Sequence, residues 1–187
     1  ANVLYVGTND GMLHGFRATD GKEVLAYVPN AVFSNLNSLT SKTYAHKYFV
    51  NGSPMTGDVK YANNSWHSVL VSGMGSGAKG IFALDVTSPG SFTEATAANI
   101  VKFEFTDAND ADVGNIIAAP SLVKMNNGKW AAVFGNGYNS TGTGQSTLYI
   151  VDIETGALIK KISTTLGNIT TPNALQNPTL IDTEDRK

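Results

Sequence analysis

Asp107, Asn109, Asp110 and Asp112 form the densest group of oxygen donors in the chain. Alternating carboxylate and amide oxygens suit calcium, a hard cation that takes oxygen ligands from a flexible loop. The EF-hand form of such a loop also needs a glycine at its sharp turn and a late bidentate acid. Gly114 comes too late for that role. Asp and Asn also close turns through local backbone hydrogen bonds. The group is therefore expected to be a structural turn.

His14, His46 and His67 are the only imidazoles, and they lie far apart in the sequence. A catalytic or metal constellation needs at least two such groups to converge, so these are expected to be separate strand histidines. There are no cysteines, hence no thiolate nucleophile, thiolate metal site or disulfide framework. Gly73–Gly80 reads GMGSGAKG and follows a strand pattern, but it leads into another strand. A phosphate site needs the helix N-terminus that is missing there. Gly137–Gly144, GYNSTGTG, fails for the same reason. Trp66, Trp130, Tyr138 and Tyr149 could form a carbohydrate-stacking platform. Packing between adjacent sheets is the expected role of such aromatics in an all-β repeat.

The composition narrows the partners. Net charge is −2 and no basic stripe exists, which argues against nucleic acid and an anionic membrane surface. Charged residues make up 15% of the chain, and Gly, Asn, Ser and Thr fill the polar positions, as in many secreted all-β proteins. No apolar run is long enough to cross a membrane. The 187 residues suffice for one domain with a sizeable core. The chain opens as Ala-Asn-Val-Leu-Tyr-Val, already inside a strand pattern, and is expected to be part of something longer.

The elements that must position these groups follow from a repeated phrase. Gly7–Gly21 reads GTNDGMLHGFRATDG, Gly77–Gly90 reads GAKGIFALDVTSPG and Gly144–Gly156 reads GQSTLYIVDIETG. Each is a polar, Gly-rich approach, an alternating apolar strand and a tight turn. Arg17, Asp85 and Asp152 hold the same place in the phrase, and a fixed period signals a repeat architecture. Phe16, Leu84 and Val151 should accordingly occupy equivalent positions of successive sheets.

Strands are predicted at Val3–Val6, Met12–Phe16, Glu23–Val28, Ala45–Asn51, Met55–Lys60, Ser65–Met74, Lys102–Phe105, Ile117–Lys124, Lys129–Asn136, Leu148–Ile153 and Ala157–Ser163. Another strand is expected within the second phrase. The turns Asn9-Asp10-Gly11, Asn126-Asn127-Gly128 and Glu154-Thr155-Gly156 close hairpins. Val32, Phe33, Leu36 and Leu39 recur at helical spacing after Pro29, predicting one short inserted helix over Pro29–Leu39. Pro178–Asp182 reads as the first strand of a further blade. The fold class is all-β: a fragment of a β-propeller made of antiparallel blade-like sheets. Residues 1–187 form part of a single propeller domain, incomplete at both ends.

The Asp152-Ile153-Glu154-Thr155-Gly156 turn resembles the repeat of quinoprotein-type propellers. Five ordered segments are more specific: YVGTNDGMLHGF (Tyr5–Phe16), YFVNGSP (Tyr48–Pro54), GAKGIFALDVT (Gly77–Thr87), FTDANDADVG (Phe105–Gly114) and GKWAAVFGNGYNS (Gly128–Ser140). Together they resemble the C-terminal β-propeller of the PilC/PilY family of type IV pilus biogenesis and tip-adhesin proteins.

That resemblance implies a non-catalytic binding and assembly module supporting pilus biogenesis, twitching motility and adhesion. The implied partners are pilus subunits, minor pilins and an unnamed host-cell or surface receptor. The implied location of the exported parent is the cell surface, at the pilus tip or outer membrane of a Gram-negative bacterium. A calcium loop in the parent is implied too. Asp182 and Glu184 stand at its first and third positions, while Arg186 replaces an acid at the fifth. A cation there opposes metal binding, so these two residues are expected to be a degenerate, truncated remnant that binds no calcium in this chain. The alternatives are a fragment of a quinone-cofactor dehydrogenase and a glycan-binding propeller. The former needs a complete ring, an axial calcium and a buried catalytic carboxylate; the latter would use the aromatic residues.

Overall fold

The computed structural model describes residues 2–181. The strands form three antiparallel meanders. The first joins β1 (Val3–Gly7), β2 (Leu13–Arg17) and β3 (Glu23–Tyr27). The second joins β4 (Met55–Lys60), β5 (Trp66–Gly73), β6 (Gly80–Asp85) and β7 (Val101–Thr106). The third joins β8 (Ser121–Lys124), β9 (Trp130–Gly135), β10 (Thr147–Asp152) and β11 (Leu158–Ser163).

The sheets stack face to face, so the middle one is buried on both sides. This explains why β5 and β6 carry the unbroken apolar runs Val69-Leu70-Val71 and Ile81-Phe82-Ala83-Leu84. Leu70, Phe82 and Leu84 join Leu13, Phe49 and Val50 in the core between the first and second sheets. Val69, Val71, Ile81 and Ala83 join Phe134, Tyr149 and Val151 in the core between the second and third. Strand β1, covered on one side only, alternates and leaves Leu4 66% exposed.

Equivalent positions follow the repeated phrase. Phe16, Leu84 and Val151 each lie just after a break in register between the last two strands of their sheet. A β-bulge there puts an extra residue on one strand and sharpens the local twist. The turns that follow β2 and β10 share a hydrogen bond as well: Gly21 N–H donates to Arg17 and Gly156 N–H to Asp152, at 2.8 and 2.9 Å.

Close backbone approach also repeats. A methyl group on Gly73, at the end of β5, would stand 2.1 Å from the Ile116 carbonyl oxygen. On Gly135, at the end of β9, it would stand 2.2 Å from that of Leu175. Only glycine lets these connectors press against the sheet ends.

Several expectations are corrected. Ala45–Asn51 forms no strand; Phe49 and Val50 are fully buried there, and the Val50 N–H bonds to the Thr8 carbonyl outside any ladder. The strand expected over Ile117–Lys124 is confined to Ser121–Lys124, because the preceding segment docks through Asn115 against Tyr138. The tight Ser-Pro-Gly turn after β6 is instead an insertion with 3₁₀ turns at Pro89–Ser91 and Glu94–Thr96 and a helix, α2 (Ala97–Ile100). The helix expected over Pro29–Leu39 is split into α1 (Asn30–Phe33) and a 3₁₀ turn at Leu36–Thr40. Pro178–Ile181 pairs with no strand among the described residues.

No side chain at the start of α1 caps its own helix. Glu104 of β7 does so from the next sheet. It accepts hydrogen bonds from the Asn30 N–H at 2.6 Å, the Ala31 N–H at 3.3 Å and the Tyr27 hydroxyl at 2.8 Å. A carboxylate at exposed helix N–H groups is favoured by both hydrogen bonding and the backbone dipole.

Candidate functional site

The acidic loop after β7 is occupied by the protein itself. Lys161, on β11, donates to both carboxylate oxygens of Asp110 at 2.8 Å and to Asp112 Oδ2 at 2.7 Å. Asp112 Oδ1 accepts from the Thr143 N–H at 2.5 Å and the Thr143 hydroxyl at 2.8 Å. Burial pushes the Asp112 carboxyl upward, but the Lys161 and Thr143 hydrogen bonds outweigh it and hold the group below the usual carboxylate range. Asn109 accepts from the Thr106 N–H at 2.9 Å, and Asp107 lies 3.6 Å from the Lys79 ammonium. The oxygens that suggested calcium are spent on a structural turn. No group of three or more His, Cys, Asp or Glu is placed to hold a metal among the described residues. Sequence reading missed Lys161 because nothing local links it to the loop.

The histidines do not converge, yet two of them are not isolated. His14 lies between Asp10 Oδ2, at 2.8 Å, and Glu23 Oε1, at 2.5 Å. Burial lowers its pKa, but the bonds to Glu23 and Asp10 outweigh that and raise it above the usual value. His67 lies between Asp85 Oδ2, at 2.6 Å, and Ser65 Oγ, at 2.7 Å, with Tyr61 stacked on its ring at 4.0 Å. His46 meets only the edge of Tyr48.

Ser65, His67 and Asp85 follow the contact order of a hydrolytic triad. Asn63 Oδ1 accepts from the Ser65 N–H at 2.9 Å and lies 2.5 Å from its hydroxyl, so Asn63 and the imidazole both stand within reach of that hydroxyl inside the turn. The cluster ties the β4–β5 turn to Asp85.

The glycine loop Gly73–Gly80 runs from β5 to β6, strand to strand. It offers no helix N-terminus to a phosphate. Gly137–Gly144 likewise leads into β10.

The four aromatics separate. Tyr149 is fully buried, and the Tyr138 hydroxyl shares a hydrogen bond with Ser76 at 2.8 Å. Trp130 packs partly into the core between the second and third sheets. Trp66 is 60% exposed and meets Trp130 edge to face, with ring centroids 6.2 Å apart.

Both tryptophans stand on copies of one hairpin that sequence reading missed. Lys60–Trp66 reads KYANNSW and Lys124–Trp130 reads KMNNGKW, a shared Lys-x-x-Asn-x-x-Trp spacing that a comparison of the turns would have found. In each, the Asn side chain accepts from the N–H two residues on: Asn63 from Ser65, Asn127 from Lys129. In each, the next residue is left-handed, Asn64 at φ 66° and Gly128 at φ 83°. In each, the Lys lies directly across the ladder from the Trp. The proposed calcium remnant, Asp182 and Glu184, lies outside the described residues.

Three consecutive antiparallel meanders, packed face to face with a bulge at the same place in each, define a segment of a β-propeller. The chain belongs to the PilY1 beta-propeller domain family, which matches residues 1–186. It is 48% identical over 162 residues to a type IV pilus biogenesis factor PilY1 homolog of Xylella fastidiosa strain Temecula1, covering 87% of this chain and 10% of that protein. It is 43% identical over 183 residues to the type IV pilus biogenesis factor PilY1 of Pseudomonas aeruginosa strain PAO1, covering 96% of this chain and 15% of that protein. The crystal structure of the Pseudomonas aeruginosa PilY1 C-terminal domain superposes with a TM-score of 0.79 at 40% identity, over 97% of this chain and 34% of that one. The chain thus spans a small part of its curated relatives and about a third of the solved domain.

Proposed function

We propose that this propeller segment is a non-catalytic binding and assembly module of a type IV pilus-associated protein. The observation that carries the reading is the family membership over nearly the whole chain, with relatives named as pilus biogenesis factors. The physical character of the segment supports it. Turns and connectors project from a rigid stack of sheets, the arrangement by which repeat scaffolds present binding surfaces.

In this reading the parent is exported and acts at the surface of a Gram-negative bacterium, at the pilus tip or the outer membrane. Its partners are pilus subunits or minor pilins and a surface or host-cell receptor. It supports pilus assembly, twitching and adherence. Calcium, where the parent binds it, would be held by a loop that starts at Asp182 and Glu184, carboxylates suited to a hard cation. Arg186 opposes that site, so the 187-residue chain should bind no calcium.

Deleting residues 1–187 from the parent tests the pilus role. Surface piliation, twitching and adherence should all fall; normal levels of all three would sink the proposal. Calorimetry with calcium on this chain, beside one extended past Lys187, tests the remnant. Tight binding by the shorter chain, lost on Asp182→Ala, would contradict it.

A further inference from the structure

The outer edge of the first sheet is open, with β3 as its last strand. The Thr8 N–H bonds to Met12 and the Ala18 N–H to Asn2, so the even-numbered residues of β2 turn their backbone groups to β1. The odd-numbered ones serve β3, where Leu13 faces Tyr27 and Gly15 faces Leu25. The N–H and C=O of Ala26, between those two, therefore point outward, and no strand meets them among the described residues. Natural sheets blunt exposed edges with charge, lysine above all. The outer strands of the other two sheets follow that rule: β7 carries Lys102 and Glu104, and β11 carries Lys160 and Lys161. In β3 no charge follows Glu23.

A second wall faces this edge. After β6 the chain makes an insertion, residues 86–100, where the first and third sheets have only the turns 18–22 and 153–157. Its Phe92, Ala97 and Ile100, with Val101 of β7, stand opposite residues 24–28 across a groove of about 390 Å³. That volume falls within the ~300–1,000 Å³ of ligand pockets. Phe92 and Ile100 pack into the core between the first and second sheets, which holds the wall in place. Glu94 is the one charged side chain on the walls.

These features select the occupant. A free strand edge pairs with an extended chain, and pockets beside the edge take its alternate side chains. A helix fills its own backbone bonds and would leave Ala26 unpaired. Apolar walls with one carboxylate suit a segment with apolar residues at alternate positions and a lysine or arginine beside Glu94.

We infer that the groove between β3 and the inserted segment is a peptide-docking site, which adds an extended, basic-ended segment of a partner protein as a further strand of the first sheet. The inference rests on the binding and assembly reading and gives it a partner chemistry.

The test presents the full-length parent with a phage-displayed library of random octapeptides. The wild type should enrich peptides with apolar residues at every second position and a lysine or arginine at one end. A fluorescein-labelled peptide of that consensus then gives affinities by anisotropy. Ala26→Pro removes the outward N–H, a change that edge strands tolerate, and should weaken binding about tenfold. Glu94→Lys, on an exposed side chain, should weaken the basic peptide and bind its copy with glutamate in place of the basic residue. No enrichment, a consensus at helical spacing, or equal binding by the wild type and both variants would each overturn the site. So would sedimentation showing that the parent pairs with itself and loses that pairing on Ala26→Pro, since a second copy would then be the occupant. Normal piliation after deletion of the whole region counts against the pilus role, whereas an unenriched library counts against the groove alone.

Discussion

Lys161 and Asp112 meet at 2.7 Å and join the outermost strand of the third sheet to the loop that follows β7. Asp112 is 4% exposed, and the same ammonium also holds Asp110. The contact locks the connector between the second and third sheets.

Replacing Lys161 with Met should therefore leave two carboxylates without their cation. The ammonium is 31% exposed, so water offsets part of the loss. A cost of about 1–3 kcal/mol is expected, the range for leaving a buried acceptor unsatisfied. Urea unfolding of the two chains measures it, and an unchanged midpoint would show the contact to be ornamental.

The same pair gives an acid limb. The Asp112 carboxyl is depressed in the folded state. Its contribution is fully present above the unfolded value of about 3.9 and is lost as pH falls through the folded value. Asp112→Asn should flatten the fall in melting temperature at that end, as followed by circular dichroism from pH 6 downward.

His14 acts in the opposite direction. Its pKa is raised by the bonds to Glu23 and Asp10 despite burial. Its contribution is fully present below the unfolded value of about 6.5 and is lost as pH rises through the folded value. His14→Gln should remove that decline. Thermal melts across pH 5.5–9 would show a sloping wild type and a flatter variant; parallel curves would exclude the histidine as the source.

Gly73→Ala should be among the most damaging single changes. The added methyl would stand 2.1 Å from a backbone oxygen of Ile116, which no side-chain rotation relieves. A loss above about 2 kcal/mol, or failure to fold, is expected. Gly90→Ala, where nothing lies within 4 Å, should change stability by less than about 0.5 kcal/mol. Equal melting temperatures for the two variants would refute the close approach.

Glu104→Ala should release the start of α1. Three donors lose their acceptor. Helix caps are worth about 1 kcal/mol, and the Tyr27 hydroxyl adds to that. Hydrogen exchange should speed up at Asn30, Ala31 and their neighbours while β5 stays protected. Unchanged exchange there would assign the cap no role.

The sequence alone determined the local order. Apolar patterning marked strands in all three sheets, and Asn-Asp-Gly, Asn-Asn-Gly and Glu-Thr-Gly marked tight turns of the first and third. The repeated phrase aligned Phe16, Leu84 and Val151 at their bulges. These signals are legible because side-chain period and turn conformation depend on neighbours in the chain. Packing decided the rest. Phe49 and Val50 look like strand residues but are core plugs with no ladder to join. The helix over Pro29–Leu39 breaks after one turn, and its cap comes from Glu104 on another sheet. Lys161 reaches the acidic loop, and Trp66 meets Trp130, only once sheets far apart in sequence are stacked. A charge pair or an aromatic contact across a seam carries no periodicity, so only the tertiary structure brings such partners together.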